Sequence, residues 1–257
     1  MVFFAPMVSV VIIAKNEAHI IGKTLQSLQG LTDDMVVVDN GSTDGTQALC
    51  QQQGARVIEA VWQGYGPTKN IGIQAAKYDW ILSLDADEAI DDTLKKAIVA
   101  YPFHNDAEIF NLSFKNFFCG KWLRHGEWGT DKHIRLFNRK QVSWDAAAVH
   151  EQLQLPPQAK VVALAGFVLH YTVHSLAQYR QKMDRYAQLN GLKYFQQGKR
   201  PSFVKRWLSP IFGFLQNYVF RLGFLDGKAG LTTAMATARY THLKYSFLSQ
   251  YWKQGAP

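Results

Sequence analysis

The chain has 257 residues, 47% of them hydrophobic, and a net charge of +8. That length and apolar share suit one large folded domain, or one domain with an appendage, and exclude a disordered chain. Two cysteines, Cys50 and Cys119, exclude a disulfide framework and suit a reducing compartment, with packing as their expected role.

In chain order, Met1-Val2-Phe3-Phe4-Ala5-Pro6 lacks the basic and long apolar regions of a signal peptide, so none is expected. Val8-Ser9-Val10-Val11-Ile12-Ile13 is a β-branched run and predicts a strand. Residues 18–28 place Ile20, Ile21, Leu25 and Leu28 on one helical face. Met35-Val36-Val37-Val38 predicts a second strand ending at Asp39, followed by a helix over 43–53 and a third strand over 55–59. A glycine-rich loop over 64–72 leads into a helix over 69–76, and Trp80-Ile81-Leu82-Ser83-Leu84 predicts the fourth strand. This alternation predicts βαβ units and a parallel sheet with right-handed connections. Further strands are expected over 108–114, 133–137 and 161–169, with Pro156-Pro157 in a loop. From Ser175 the pattern is helical, broken at Gly198-Lys199-Arg200-Pro201 and at Leu225-Asp226-Gly227. No run of about 18 apolar residues offers a spanning helix.

Four motifs follow the early strands: Lys15-Asn16-Glu17, Asp39-Asn40-Gly41-Ser42-Thr43-Asp44-Gly45-Thr46, Gly64-x-Gly66-x-x-Lys69-Asn70-x-Gly72, and Asp85-Ala86-Asp87-Glu88. In an open α/β sheet the carboxyl edge of the strands is where ligands bind, so all four crowd one edge. Two carboxylates one residue apart repel unless positive charge lies between them. A divalent cation shared with substrate phosphates supplies it. The other reading of the last motif is an acidic turn that opens the next helix.

In this order the motifs resemble the family-2 inverting glycosyltransferases of GT-A fold, strongly over residues 7–90 and more loosely to about 175. The resemblance implies an α/β, Rossmann-like, mostly parallel sheet flanked by helices, with a C-terminal helical, amphipathic extension. The expected division is a catalytic domain over 1–198 and a basic extension over 199–257. It also implies a nucleotide-diphosphate sugar as donor and Mg²⁺ or Mn²⁺ as cofactor. Asn16, Glu17, Asp39, Lys69 and Asp85 would bind the nucleotide, with Asp39 on the base or ribose and Lys69 and Asp85 toward the diphosphate. Asp87 would face the metal. Asn40 departs from the pattern, where many members carry a second Asp. Glu151, in Val149-His150-Glu151, is the candidate base; the alternative is a surface glutamate, and His150 either orients it or is an ordinary histidine. His170 is a further metal contact or a structural histidine. Arg135 points toward the diphosphate or acceptor, or else to solvent. Trp128 stacks on a sugar or fills a core or lid.

Charge is uneven along the chain. Residues 171–257 hold 13 Lys and Arg against two acids, Asp184 and Asp226, whereas residues 1–170 hold 15 against 18 acids. The stretch 203–224 interleaves aromatics with Lys205, Arg206 and Arg221, contains no acid, and is interrupted by Pro210 and Gly213. Interfacial helices have this composition, which favours a membrane surface over nucleic acid as the anionic partner. The segment 224–230 resembles one in lipopolysaccharide-core sugar transferases. The expected reaction is therefore transfer of a sugar, glucose from UDP-glucose, to a lipopolysaccharide inner-core acceptor. It would take place on the inner face of the cytoplasmic membrane. The alternatives are a polyprenyl-phosphate glycosyltransferase, a non-catalytic nucleotide-sugar or membrane-binding module, and a nucleotidyltransferase.

Overall fold

The computed structural model describes residues 8–129, 131–145 and 152–254. The elements are β1 (Val8–Ala14), α1 (Ile21–Ser27), β2 (Met35–Asp39), α2 (Thr46–Gln52), β3 (Arg56–Glu59), α3 (Tyr65–Ala75), β4 (Trp80–Asp85), β5 (Glu88–Ile90) and α4 (Asp92–Ala100). There follow β6 (Glu108–Phe118), β7 (Lys121–Trp122), β8 (Asp131–Asn138), β9 (Ser143–Trp144), β10 (Leu153–Gln154), β11 (Lys160–Val162) and β12 (Val168–Val173). The chain ends in α5 (Leu176–Gln196), α6 (Phe203–Leu215) and α7 (Gly227–Gln254). Among the described residues no helix is long and apolar enough to cross a membrane.

Two compact units divide the chain: residues 1–114 with 132–170, and residues 115–131 with 171–257. In the first unit β3, β2, β1 and β4 run parallel in that order, as the alternating pattern predicts. Antiparallel β8 extends this block beside β4, and β5 pairs antiparallel with β12. Every residue of β1 and β2 is buried, because helices cover both faces. At the amino edge Asp34, itself buried, accepts from Ser9 Oγ at 2.6 Å, Lys77 N at 2.7 Å and Arg56 Nη2 at 2.7 Å. It fastens the starts of four neighbouring segments.

Several local expectations are corrected. The glycine-rich segment is mostly helix, since α3 begins at Tyr65. Pro67 is accommodated in its first turn, where backbone N–H groups have no intrahelical partner. The strand expected over 161–169 is two, β11 and β12, separated by a turn at Gly166 with φ +99°. There Asp91 Oδ1 accepts from both Phe167 N and Leu94 N. Cys119 is exposed rather than packed. With Gly120 it forms the two-residue turn of the β6–β7 hairpin, both residues at positive φ (48° and 79°), the twist such a turn requires.

Beyond that hairpin and the ends of β8 and β12 that it includes, the second unit is mostly helical, with α7 packed along α5 and α6. Pro210 does not interrupt α6 but lies buried within it, and a π-helical turn continues the helix over residues 216–220. Gly230, in the first turn of α7, has no room for a Cβ, because one there would clash with the Gly223 carbonyl oxygen.

Gly72 seats α3 on the sheet: an added Cβ would meet Val11 Cγ1 at 2.5 Å and Val38 Cγ2 at 2.9 Å. Alanine gains about 1 kcal/mol of helix propensity. Overpacking against two β-branched residues of central strands costs about 1–3 kcal/mol. The clash prevails, so Gly72→Ala lowers the melting temperature by a few degrees in calorimetry, and Gly72→Val by much more. A second expectation concerns acid. Burial opposes ionisation of Asp34, but its bonds from Ser9, Lys77 and Arg56 outweigh that and hold its carboxyl below the usual range. A depressed folded value means the contribution is present above the unfolded pKa and is lost as pH falls through the folded one. Denaturant titrations below about pH 4 should show a steeper loss for the natural chain than for Asp34→Asn.

Candidate active site

Register delivers the first carboxylates. Ala14 pairs with Asp39 across β1 and β2, and Ile13 pairs with Asp85 across β1 and β4. Because these strands are parallel, their carboxyl ends share one edge, and Asp39, residues 15–17 and Asp85 arrive there together.

The loops after β1 and β2 are stitched to each other. Asn16, at φ +58°, accepts on Oδ1 from Thr43 N at 2.8 Å, and its own N–H donates to Ser42 Oγ at 2.8 Å. Glu17 N donates to Thr46 Oγ1 at 2.9 Å and Ala18 N to Asp44 Oδ2 at 3.1 Å. Asp39 accepts on Oδ1 from Gly41 N, Ser42 N and Gln47 Nε2 at 2.7–3.0 Å, and on Oδ2 from the Ser42 hydroxyl. Burial opposes the charge on Asp39, yet the bonds from Gln47, Ser42 and Gly41 prevail and keep its carboxyl below the usual range. Asn40 serves structure, donating to the Ala60 carbonyl at 3.0 Å.

Asp85 sits between two cations. Lys69 Nζ reaches Oδ1 at 3.2 Å from α3, and Arg135 Nη2 reaches Oδ2 at 3.2 Å from β8. Arg135 also binds Glu88 Oε1, and Glu88 Oε2 accepts from Asp85 N at 3.0 Å. Burial raises the pKa of Asp85, but Arg135 and then Lys69 overcome it and hold the group well below the carboxylate range. Burial pushes Glu88 up, with Arg135 opposing and Asp85 reinforcing. The carboxylate repulsion read from the motif is therefore met by protein cations at Asp85. Lys69 is itself buried and lies 4.6 Å from the Trp144 ring centre. Its neighbour Asn70 clamps the Trp144 backbone, donating to the carbonyl at 2.9 Å and accepting from the N–H at 3.1 Å. The sequence alone assigns no role to Glu88 or Trp144. Only the run of acids flagged Glu88, and nothing local links Trp144 to a lysine 75 positions earlier.

Asp87 and His170 form the second cluster. Residues 86–87 are a turn into β5, whose Glu88 pairs with His170 of β12. The motif does not open a helix, because α4 is capped by Asp91. Asp87 Oδ2 and His170 Nε2 stand 3.5 Å apart. Burial works against a charged His170, but Asp87 outweighs it and raises the imidazole's pKa. Together they would offer one oxygen and one nitrogen donor to a divalent cation. Among the described residues no group of three or more His, Cys, Asp or Glu surrounds such a position. The donor set suits a cation completed by phosphate oxygens and water, as Mg²⁺ commonly is.

Trp128 lies in the second unit, edge-on to Phe118 and Tyr179 with ring centres 5.9 and 6.0 Å away. Glu151 and His150 lie outside the described residues.

The model of the family described as glycosyl transferase family 2 matches residues 9–186. An uncharacterized glycosyltransferase of Rickettsia typhi is 28% identical, over 92% of this chain and 85% of its own length. The lipopolysaccharide core biosynthesis glycosyltransferase LpsC of Rhizobium meliloti is 29% identical, over 91% of this chain and 89% of its own. Among solved structures, glucosyl-3-phosphoglycerate synthase from Mycobacterium tuberculosis is 26% identical over 45% of each chain, with a TM-score of 0.35.

Arg135 is the test of the electrostatic network. Arg135→Gln leaves Glu88 buried beside Asp85 without its cation, and breaking a buried pair this way costs about 3–5 kcal/mol. Arg135→Gln with Glu88→Gln should recover much of that loss in urea unfolding, because the second change removes the stranded charge. Equal stability of the single and double variants would mean that Glu88 is held by something else.

Proposed function

The chain belongs to glycosyl transferase family 2 and is a nucleotide-sugar-dependent glycosyltransferase. On that premise we propose that it moves glucose from UDP-glucose, with inversion and with Mg²⁺ or Mn²⁺, to the inner core of a lipopolysaccharide precursor. The observation that carries this reading is the convergence of Lys69, Asp85, Asp87, Arg135 and His170 at one sheet edge. The acceptor class is supported by the similarity to LpsC. The donor follows from the motif resemblance.

In this reading Asp39 and the stitched loops with Asn16 and Glu17 receive the nucleoside, while Lys69 and Arg135 attract the diphosphate oxygens. Asp87 and His170 hold the cation, which would supply positive charge as the leaving group becomes more negative. The acceptor hydroxyl oxygen forms the new bond to the anomeric carbon as the bond from that carbon to the diphosphate breaks. Its proton passes to Glu151 on the opposite side, the geometry inversion demands. Trp128 contacts a sugar. The acceptor is lipid-linked, so the reaction takes place on the cytoplasmic face of the inner membrane, with residues 199–257 as the extension toward it. Nucleic acid is not a partner.

A donor panel scored by nucleoside-diphosphate release, with and without a lipid-linked core acceptor, tests the proposal. UDP-glucose with acceptor should give the fastest release, and chelator should abolish it until Mg²⁺ or Mn²⁺ is restored. Asp87→Asn should lower turnover by orders of magnitude at unchanged melting temperature, and Glu151→Gln by roughly 10²–10⁴. A Glu151→Gln variant that keeps its rate would point instead to a phosphate acceptor, which needs no strong base.

A further inference from the structure

The second unit carries a face that folding leaves uncovered. On α6 the residues Phe203, Val204, Trp207, Leu208, Ile211 and Phe212 are all exposed. They recur at i, i+1, i+4, i+5, i+8 and i+9, which is one continuous stripe of a helix. The thirteen residues of α6 make this stripe about 20 Å long. The π-helical turn prolongs it through Val219 and Phe220, and Phe224 and Leu225 follow. Phe203 is 77% exposed, Phe212 63% and Phe220 72%. Isolated exposed apolar residues are ordinary, but a continuous set of aromatics is not, and it marks an interaction surface. Meanwhile Pro210 is buried and His242 Nδ1 of α7 lies 3.2 Å from the Arg206 carbonyl oxygen, so the helix is anchored on its other side.

Charge selects the occupant. Residues 185–225 contain no Asp or Glu. The two acids of residues 171–257 are both engaged elsewhere. Asp184 is bonded twice to Arg239, and the buried Asp226 accepts from the N–H groups of Arg124 and His125. Lys205 and Arg221 are exposed at either end of the apolar stripe, and Lys199 and Arg200 precede it. A protein partner would have to match a broad aromatic face and a rim of uncompensated cations together. An anionic bilayer offers both at once, with acyl chains for the aromatics and phosphates for the lysines and arginines. The stripe is too short to span, so it lies in the plane of the surface.

We infer that α6 and the turn after it form an in-plane docking surface for anionic phospholipid. The apolar stripe enters the headgroup boundary, and Lys205 and Arg221 reach up to the phosphates. This deepens the reading of a lipid-linked acceptor and draws its meaning from that reading, but its test needs neither donor nor acceptor.

The full chain is sedimented with phosphatidylglycerol-rich vesicles and with pure phosphatidylcholine vesicles, and its mass in solution is measured by light scattering. Binding should be stronger to the phosphatidylglycerol vesicles and should weaken as salt is raised. Ile211→Ser with Phe212→Ser should weaken binding to both vesicles by about tenfold or more. These side chains are exposed, so the melting temperature should not fall. Lys205→Glu with Arg221→Glu should cost about tenfold on phosphatidylglycerol vesicles and little on phosphatidylcholine ones. Vesicle binding that ignores the serine pair overturns the inference. So does a natural chain that stays in the supernatant and forms a dimer dissociated by the serine pair, which would make the stripe an interface between copies. Donor turnover without vesicle binding would likewise remove the docking surface while leaving the glycosyl-transfer reading intact.

Discussion

A carboxylate half-buried at the end of a strand needs positive charge beside it, and Asp85 receives that charge from two directions. Lys69 comes from the helix that packs on the parallel strands, and Arg135 comes from the antiparallel strand beside β4. Neither cation is adjacent to Asp85 in sequence. Their arrival depends on the seating of α3 through Gly72 and on the β4–β8 pairing, so the charge network is a readout of the whole sheet. The converse also holds. With Arg135 shared between Asp85 and Glu88, misplacing either strand would strand a buried charge, a penalty larger than most single packing errors. In the proposed reaction these cations would be in place before the diphosphate arrives, which is how a protein stabilises charge without reorganising at the moment it develops.

The parallel half of the sheet was legible because two periodicities alternate there. β-branched runs such as 8–13 and 35–38 are buried on both faces, and the segments between them repeat at helical spacing. The positions of Asp39 and Asp85 at strand ends followed directly. The antiparallel part was less legible because its pairings join residues far apart, such as His170 with Glu88, and nothing local encodes them. The helical start of α3 was hidden by Gly64, Gly66 and Pro67, which signal a loop unless the free N–H groups of a first helical turn are considered. The role of Glu88 is hidden for a related reason. Its meaning lies in Arg135, 47 positions away. Local pattern thus marks the strand ends that carry the candidate site, while the pairings that neutralise its carboxylates belong to tertiary structure.

The two units divide the chemistry of the chain unevenly. The first concentrates opposed charges into short-range networks, at Asp34 on one edge and Asp85 on the other. The second carries most of the unbalanced positive charge and most of the uncovered aromatic surface. Compact pairing suits a site that orients a small anion, and unbalanced charge on an apolar face suits an extended one.

The bonds that tie residues 16–18 to 42–46 make the β1 and β2 loops a single ledge. Replacing the β2 loop alone would leave Asn16 Oδ1 and the Glu17 amide without the partners they have here. The two loops therefore tolerate exchange only as a pair, and a chimera joined between them would inherit neither parent's ledge.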